Sequence, residues 1–309
     1  MASKKMKKKT RYLIEYLGTL LLIRLIRLLS LKRLLRFAEH LGIFAFSRLK
    51  IRRNTVMKNL GAAFPEKSEI ELLDIAERTY QNFAKTALEF ISFPKYPRDH
   101  LLSRCELVNR HYLDDLCQNK QGAVLVAGHF GNWELMGGAL AMAGYPVHAV
   151  VADQHNHDVD RIMNRHREYM GIKIIHLGAA LRGISKALRA HEFVALLSDQ
   201  NARSQGVFVD FFGRPASTPQ GPAVFALKTG CPIIFGSAIR LPNGKHRLEI
   251  ELVTHDHLSG GATEENVKAL TQLYTRKLED KIREYPDHWF WMHRRWKSKP
   301  PCLKESKST

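Results

Sequence analysis

Ala123-Val124-Leu125-Val126-Ala127-Gly128-His129-Phe130-Gly131-Asn132-Trp133-Glu134 is the stretch on which the fold turns. Five apolar residues followed by a glycine-flanked turn read as a buried strand. Asn132 suits a helix N-cap, and a helix is expected over residues 132–143. The alternation repeats downstream. Strands are expected at 147–152, 172–177 and 193–198, with helices at 158–170 and 180–190 between them. A long loop follows, then a helix at 221–229 and a strand at 232–240. Residues 246–254 alternate and read as an antiparallel or edge strand, and 263–285 as a terminal helix. Strands alternating with helices need crossover connections, so the fold class is α/β, a mixed, mostly parallel sheet flanked by helices. Upstream, residues 50–95 read as largely helical. Phe64-Pro65 forces a turn, because proline disfavours helix at the residue before it. Ser68 and Glu71 have capping-box spacing and open a helix to about Phe90. Phe93-Pro94 and Tyr96-Pro97 mark a loop.

The 309 residues are 45% hydrophobic, enough for a substantial core, which excludes a mostly disordered chain. The formal charge of +18 is concentrated at one end. Residues 1–60 carry sixteen Lys or Arg against Glu15 and Glu39. A nucleic-acid binder is expected to spread its charge over the folded body, so no nucleic-acid partner is expected. Cys105, Cys117, Cys231 and Cys302 form no Cys-x-x-Cys pair and read as scattered thiols in a reducing compartment.

The first segment mixes cations with leucines. Lys4, Lys5, Lys7, Lys8, Lys9 and Arg11 precede an apolar run from Leu13 to Leu29 that Arg24 and Arg27 interrupt. A spanning helix needs about 20 mostly apolar residues. A helix lying in the membrane interface fits better, with leucines in the acyl region and cations on anionic headgroups. A short tilted span is the alternative. Residues 1–50 are thus expected to be a membrane anchor, 51–300 a catalytic domain and 301–309 a polar tail.

His129 follows the buried strand at a strand-to-helix turn, the edge where open α/β sheets bind ligands. With His129 in the turn and Glu134 in the first helical turn, the two can approach. A carboxylate on one imidazole nitrogen fixes the tautomer and raises the basicity of the other. Such a base can take the proton of an alcohol that attacks a carbonyl. Spacing alone equally allows a His and a Glu that merely cap the turn.

The surrounding residues add a resemblance. Gly128-His129-Phe130-Gly131-Asn132-Trp133-Glu134 resembles the signature of the bacterial lipid A biosynthesis acyltransferases, relatives of the glycerolipid acyltransferases with His-x4-acid motifs. Further blocks agree in order. They are Arg53 with Asn59-Leu60 and Phe64-Pro65; Tyr80-Gln81-Asn82-Phe83 with Glu89; Arg167 with Gly171; and Ser198-Asp199-Gln200-Asn201. Val209-Asp210-Phe211-Phe212-Gly213, Ala216-Ser217-Thr218 and residues 288–296 complete the set. The resemblance implies a glycerolipid-acyltransferase-like fold with an N-terminal membrane-binding helix. It also implies transfer of a fatty acyl chain from an acyl carrier protein thioester, or acyl-CoA, to a hydroxyl of a lipid A precursor. The expected location is the cell inner membrane, with the catalytic domain on the cytoplasmic side. Neither metal nor cofactor is implied.

On this reading His129 is the general base, and Glu134 or Asp199 orients it. Arg167 is expected to stabilise the thioester oxyanion or bind an acceptor phosphate, unless it belongs to a solvated helix face. Asn132 shapes the turn, and Ser217 and Thr218 contact the acceptor unless they are only loop residues. Trp289, Trp291 and Trp296 with Arg294 and Arg295 suit a headgroup interface, or else are core aromatics beside surface arginines. His155, His157, His176 and His191 have no metal-site spacing. No Gly-x-Ser-x-Gly elbow, Walker loop or dinucleotide fingerprint is present, which favours direct attack by the acceptor hydroxyl. The competing readings are an acyltransferase acting on another glycolipid or lysophospholipid, and a basic membrane- or nucleic-acid-binding protein.

Overall fold

The computed structural model describes residues 2–300, with side chains from residue 9 onward. The expected tail at 301–309, with Cys302, lies outside the described residues. Helices come first, α1 (Ala2–Leu28), α2 (Leu31–Ser47), α3 (Arg53–Ala63), α4 (Glu69–Ser92) and the short α5 (Arg98–Leu102). The chain then runs β1 (Cys105–Val108), α6 (His111–Gln118), β2 (Ala123–Ala127), α7 (Trp133–Met142), β3 (Val147–Val151), α8 (His157–Tyr169), β4 (Lys173–His176), α9 (Ala180–Arg189) and β5 (Phe193–Leu197). After these come β6 (Val207–Phe211), β7 (Arg214–Thr218), α10 (Gly221–Thr229), β8 (Ile233–Arg240), β9 (His246–Val253) and α11 (Glu264–Glu284).

The main sheet has the order β1-β9-β8-β2-β5-β3-β4. Strands β8, β2, β5, β3 and β4 pair in parallel. Strand β9 runs antiparallel to β8 and parallel to β1. The sheet is therefore mixed and mostly parallel, as the alternation predicts. Two details differ. Residues 246–254 do form an antiparallel strand, but not an edge, because β1 covers it. The expected long loop before residue 221 holds the β6–β7 hairpin.

Side chains of the central strands alternate between two helix layers, as the two-residue strand period requires. Val124, Val126, Ile233 and Phe235 join one core with Ile184 of α9, Ala223 of α10 and Leu270 of α11. Ala123, Leu125, Phe193 and Ile234 join another with Leu113 of α6 and Leu140 of α7. Helix α4 opens with the expected capping box, Ser68 and Glu71 satisfying each other's backbone N–H groups, worth about 1 kcal/mol.

Helix α2, inside the segment expected to be an anchor, packs on the body through Leu34, Ala38, Gly42 and Phe46. A Cβ at Gly42 would lie 2.6 Å from the backbone of Gln81 on α4, so only glycine allows this approach. Helix α1 buries Ile23 and Ile26. It is held further by Asn156, whose Nδ2 donates to the Tyr12 carbonyl and to Glu15. Among the described residues, no helix is long and apolar enough to cross a membrane.

Candidate active site

Parallel register builds the site. Ala127 at the end of β2 is paired with Leu197 at the end of β5. Two residues further along each strand stand His129 and Asp199, side by side at the carboxyl edge where such sheets bind ligands. His129 Nδ1 lies 2.7 Å from Asp199 Oδ1, and the His129 backbone N–H donates to Oδ2 at 2.8 Å. Trp289 Nε1 donates to the same Oδ2 at 2.8 Å. An ionised carboxylate only accepts, so the Nδ1 position carries the imidazole proton. Nε2 is left with its lone pair and has no hydrogen-bond partner among the described residues. The imidazole is 23% exposed, and the carboxylate is buried.

Electrostatics match the geometry. Burial alone would push the Asp199 carboxyl up. The facing His129 and the hydrogen bonds from His129 and Trp289 outweigh it and bring Asp199 down to about 2. Burial alone would push His129 down, but the charge of Asp199, its hydrogen bond and then the charge of Glu134 raise it above its ordinary value. The pair therefore holds a fixed tautomer and a strengthened base.

The turn is held from outside. Gly131 has φ +55°, and a Cβ there would sit 1.6 Å from the Ala238 carbonyl oxygen of β8, so no other residue fits. The segment after α11 pairs with the turn as a short antiparallel strap. Gly131 N–H donates to the His288 carbonyl at 2.8 Å, and Phe290 N–H to the His129 carbonyl at 3.0 Å. Helices α3 and α4 fasten the strap. Asn59 Nδ2 donates to the carbonyls of Trp291 and His293, and Asn82 Nδ2 to Asp287. Thr86 donates to the Gly131 carbonyl. Buried Glu89 accepts from Asn132 at 2.8 Å and from both arms of Arg240 at 2.9 and 2.7 Å. Trp133 and Phe290 wall the imidazole, and Phe83 packs against both of them.

The expected site residues are thus sorted by geometry. Asp199, not Glu134, is hydrogen-bonded to His129. Glu134 instead takes a two-pronged pair from Arg167, at 2.9 and 2.6 Å. Arg167 is neither on a solvated face nor presenting a free fork. Its third nitrogen donates to Asn164, and both partners are largely buried. Register across parallel strands outranks proximity in sequence, because β5 lies beside β2. Asn132 does shape the turn, as N-cap of α7 through Leu135 N–H. Ser217 and Thr218 are buried, with their hydroxyls donating to the Arg203 and Ala216 carbonyls. Arg295 is 1% exposed and donates to the Ser217 carbonyl and the Thr218 hydroxyl, with its guanidinium 5.0 Å from the Phe211 ring. Burial lowers it to about 10. Trp289 and Trp291 are core side chains. The expected headgroup interface of Trp289, Trp291 and Arg295 is therefore inside the protein, where aromatic burial outweighs interfacial anchoring.

Asn59, Asn82 and Glu89 carry no expected role from the sequence, although each stands in a block that carried the resemblance, and Trp289 is expected at a headgroup interface rather than on Asp199. Polar residues on the apolar faces of helices were the available signal. Among the described residues, the ligand atoms of Asp153, Asp160 and His176 lie within 4.8 Å of one another. His176 Nδ1 is bonded to Asp153, and Asp160 accepts from Gln154 and Asn164, so this set is already occupied by protein partners.

The family described as bacterial lipid A biosynthesis acyltransferase matches residues 1–298. A lipid A biosynthesis lauroyltransferase of Escherichia coli K12 is 25% identical over 295 residues, covering 94% of this chain and 93% of the relative. A lipid A biosynthesis palmitoleoyltransferase of the same organism is 25% identical over 264 residues, 84% of this chain and 83% of the relative. A phosphatidylinositol mannoside acyltransferase of Mycolicibacterium smegmatis is 25% identical over 228 residues, 72% of each chain.

Proposed function

This chain belongs to the bacterial lipid A biosynthesis acyltransferase family and is an acyltransferase, and we propose that it moves a fatty acyl chain from an acyl carrier protein thioester to a hydroxyl of a lipid A precursor. Acyl-CoA is the alternative donor. The single observation that carries the mechanism is the His129–Asp199 pair at the carboxyl edge of β2 and β5.

His129 Nε2 takes the proton of the acceptor hydroxyl as its oxygen attacks the thioester carbonyl carbon. Collapse of the tetrahedral intermediate forms the ester and breaks the carbon–sulfur bond. The departing thiolate recovers the proton from Nε2. Asp199 keeps Nδ1 protonated throughout and stabilises the transient imidazolium. Glu134, neutralised by Arg167, adds a weaker field and stiffens the first turn of α7. Direct transfer without an acyl-enzyme fits a site whose one evident reactive side chain is an imidazole.

The acceptor has a second reading. Relatives named for phosphatidylinositol mannoside match at the same identity as those named for lipid A, which supports a different phosphorylated glycolipid as the acceptor.

Membrane contact at the cytoplasmic side of the inner membrane is part of the proposal, with residues 1–50 as anchor and 51–300 as catalytic body. Its support is the outer face of α1 and α2. Leu13, Ile14, Leu17, Leu21, Leu25 and Leu28 are exposed on α1, and Phe37, Leu41 and Phe44 on α2. Arg24, Arg27, Lys32, Arg33 and Arg36 are exposed beside them. This mixture suits an acyl–headgroup boundary. The test is incubation of purified protein with a lipid A precursor and a panel of acyl carrier protein thioesters, read by mass spectrometry. A precursor heavier by one acyl group supports the proposal, and an unchanged precursor with every donor removes it.

A further inference from the structure

We infer that the cationic cleft beside the His129–Asp199 pair is a phosphate-binding site that holds one substrate by its phosphate group while the reacting atoms reach His129. The cleft has a volume of about 520 Å³ and is lined by Arg52, Thr55, Gln200, Asn201, Arg203, His293, Arg294 and Lys297. Four of these are permanent cations and none is acidic. The inference rests on the acyl-transfer reading only for the direction in which the substrate extends.

Three observations carry it. First, the cations have no compensating partners. Among the described residues, Arg203, Arg294 and Lys297 form no ion pair and no side-chain hydrogen bond, and all three are exposed. Among the described residues, the Arg52 side chain donates to the Met292 carbonyl alone and has no acidic partner. Clustered like charges repel one another.

Second, hydrogen bonds at Asn201 hold one wall of the cleft in place. Arg52 and Arg203 both have left-handed backbone, with φ +55° and +57°. Asn201 Oδ1 accepts from the Arg203 backbone N–H, which fixes that turn. The Asn201 backbone N–H donates to His293 Nε2 at 3.0 Å, so His293 carries its proton on Nδ1. Burial, countered by Asp199 and reinforced by Arg295, holds His293 below its ordinary value. It thus stands in the cleft as a neutral N–H donor.

Third, the cleft adjoins the His129–Asp199 pair through Gln200. Gln200 follows Asp199 directly, and its amide lies 3.5 Å from His129 Nδ1. Guanidinium forks match phosphate oxygens in pairs, and anchoring a remote phosphate is how binding energy positions a reacting hydroxyl or thioester. The same chemistry has two sources, a phosphate on the glycolipid acceptor or the phosphodiester of the donor's pantetheine arm.

The experiment uses the full chain, wild type and the double variant Arg203→Gln/Arg294→Gln. Calorimetric titration with inorganic pyrophosphate at low salt should show binding to wild type. Loss of about tenfold affinity is expected for each guanidinium removed. Arg203→Lys should keep part of the affinity and Arg203→Glu should abolish it, with circular dichroism and melting temperature reporting that each variant is folded. Kinetics then separate the sources. If the acceptor is anchored, the wild-type preference for phosphorylated over phosphatase-treated acceptor collapses about tenfold or more in the double variant. If the donor is anchored, the preference for a carrier-protein thioester over the N-acetylcysteamine thioester of the same acyl chain collapses instead. Pyrophosphate affinity equal in wild type and the double variant, or both preferences unchanged, overturns the inference. A chain that binds pyrophosphate here but acylates no lipid A precursor removes the proposed acceptor and leaves the cleft. A chain that acylates the precursor without binding pyrophosphate removes only the cleft.

Discussion

Asp199→Asn tests the division of labour around His129. The asparagine keeps the volume of the aspartate but puts an amide where the carboxylate accepted from Nδ1. The imidazole then favours a proton on Nε2, the atom that must be free to act as base. In a Ser-His-Asp triad the same exchange lowers kcat about 10⁴-fold. Here a loss of about 10³–10⁴-fold is expected, roughly 4–5.5 kcal/mol of transition-state stabilisation. The pH profile gives an independent reading. The base works deprotonated, so activity falls as pH drops through the raised pKa of His129, above its ordinary value of 6.5. The charge of Asp199 helps raise that pKa, so the acid limb of the residual activity moves to lower pH in the variant. Stability also changes. Asp199 is depressed from 3.8 to about 2. Its contribution is present above the unfolded value near 4 and is lost as pH falls towards 2. It amounts to about 2 kcal/mol, so the variant should melt lower yet remain folded by circular dichroism. Steady-state acyl transfer from pH 5 to 9 is the assay. A folded variant with kcat within tenfold of wild type, or an acid limb that does not move, refutes the assignment of Asp199. Glu134→Gln should move the limb less, because that carboxylate is closed on Arg167.

Other expectations follow from the packing behind the turn. Glu89→Gln leaves the buried Arg240 uncompensated and weakens the contact to Asn132; a loss of about 3–5 kcal/mol is expected in denaturant unfolding, and a loss under 1 kcal/mol would contradict the buried pair. Gly131→Ala forces a methyl group into the Ala238 carbonyl, so soluble folded protein, or activity if any is recovered, should fall sharply, while Gly137→Ala, whose Cβ would meet Ile172 at an ordinary 3.4 Å, should fold normally. Leu17→Asp/Leu21→Asp places charges on the exposed face of α1; co-flotation with anionic vesicles should drop several-fold, and unchanged flotation would remove that face from the proposed membrane contact.

Much of this arrangement is legible in the sequence, and the gaps have physical causes. Strand β2, its turn and α7 are signalled locally by an apolar run, glycines and an N-cap asparagine, and they appear where expected. The capping box at Ser68 is equally local. The partner of His129 is legible only as two candidates, Glu134 and Asp199, because the choice between them depends on β5 entering the sheet between β2 and β3, a topological fact that no spacing encodes. The 70-residue separation of His129 and Asp199 closes only through parallel register. The β6–β7 hairpin escapes notice because Gly213 and Pro215 punctuate its short strands as they would a loop. Strand β1 and helix α6 are short and stabilised by neighbours rather than by their own pattern. Trp289 and Trp291 resemble interfacial aromatics by composition, yet their burial follows from the strap that returns across the sheet edge. Glu89 and Arg240 are legible only as a pair, 151 residues apart.

The most direct measurement is acyl transfer by His129→Ala. Purified wild type and variant are incubated with a lipid A precursor and a carrier-protein thioester, and product is quantified by mass spectrometry over time. With the fold intact by circular dichroism, the account predicts product formation reduced by at least about 10³-fold. A folded His129→Ala chain that transfers acyl groups at the wild-type rate would contradict it.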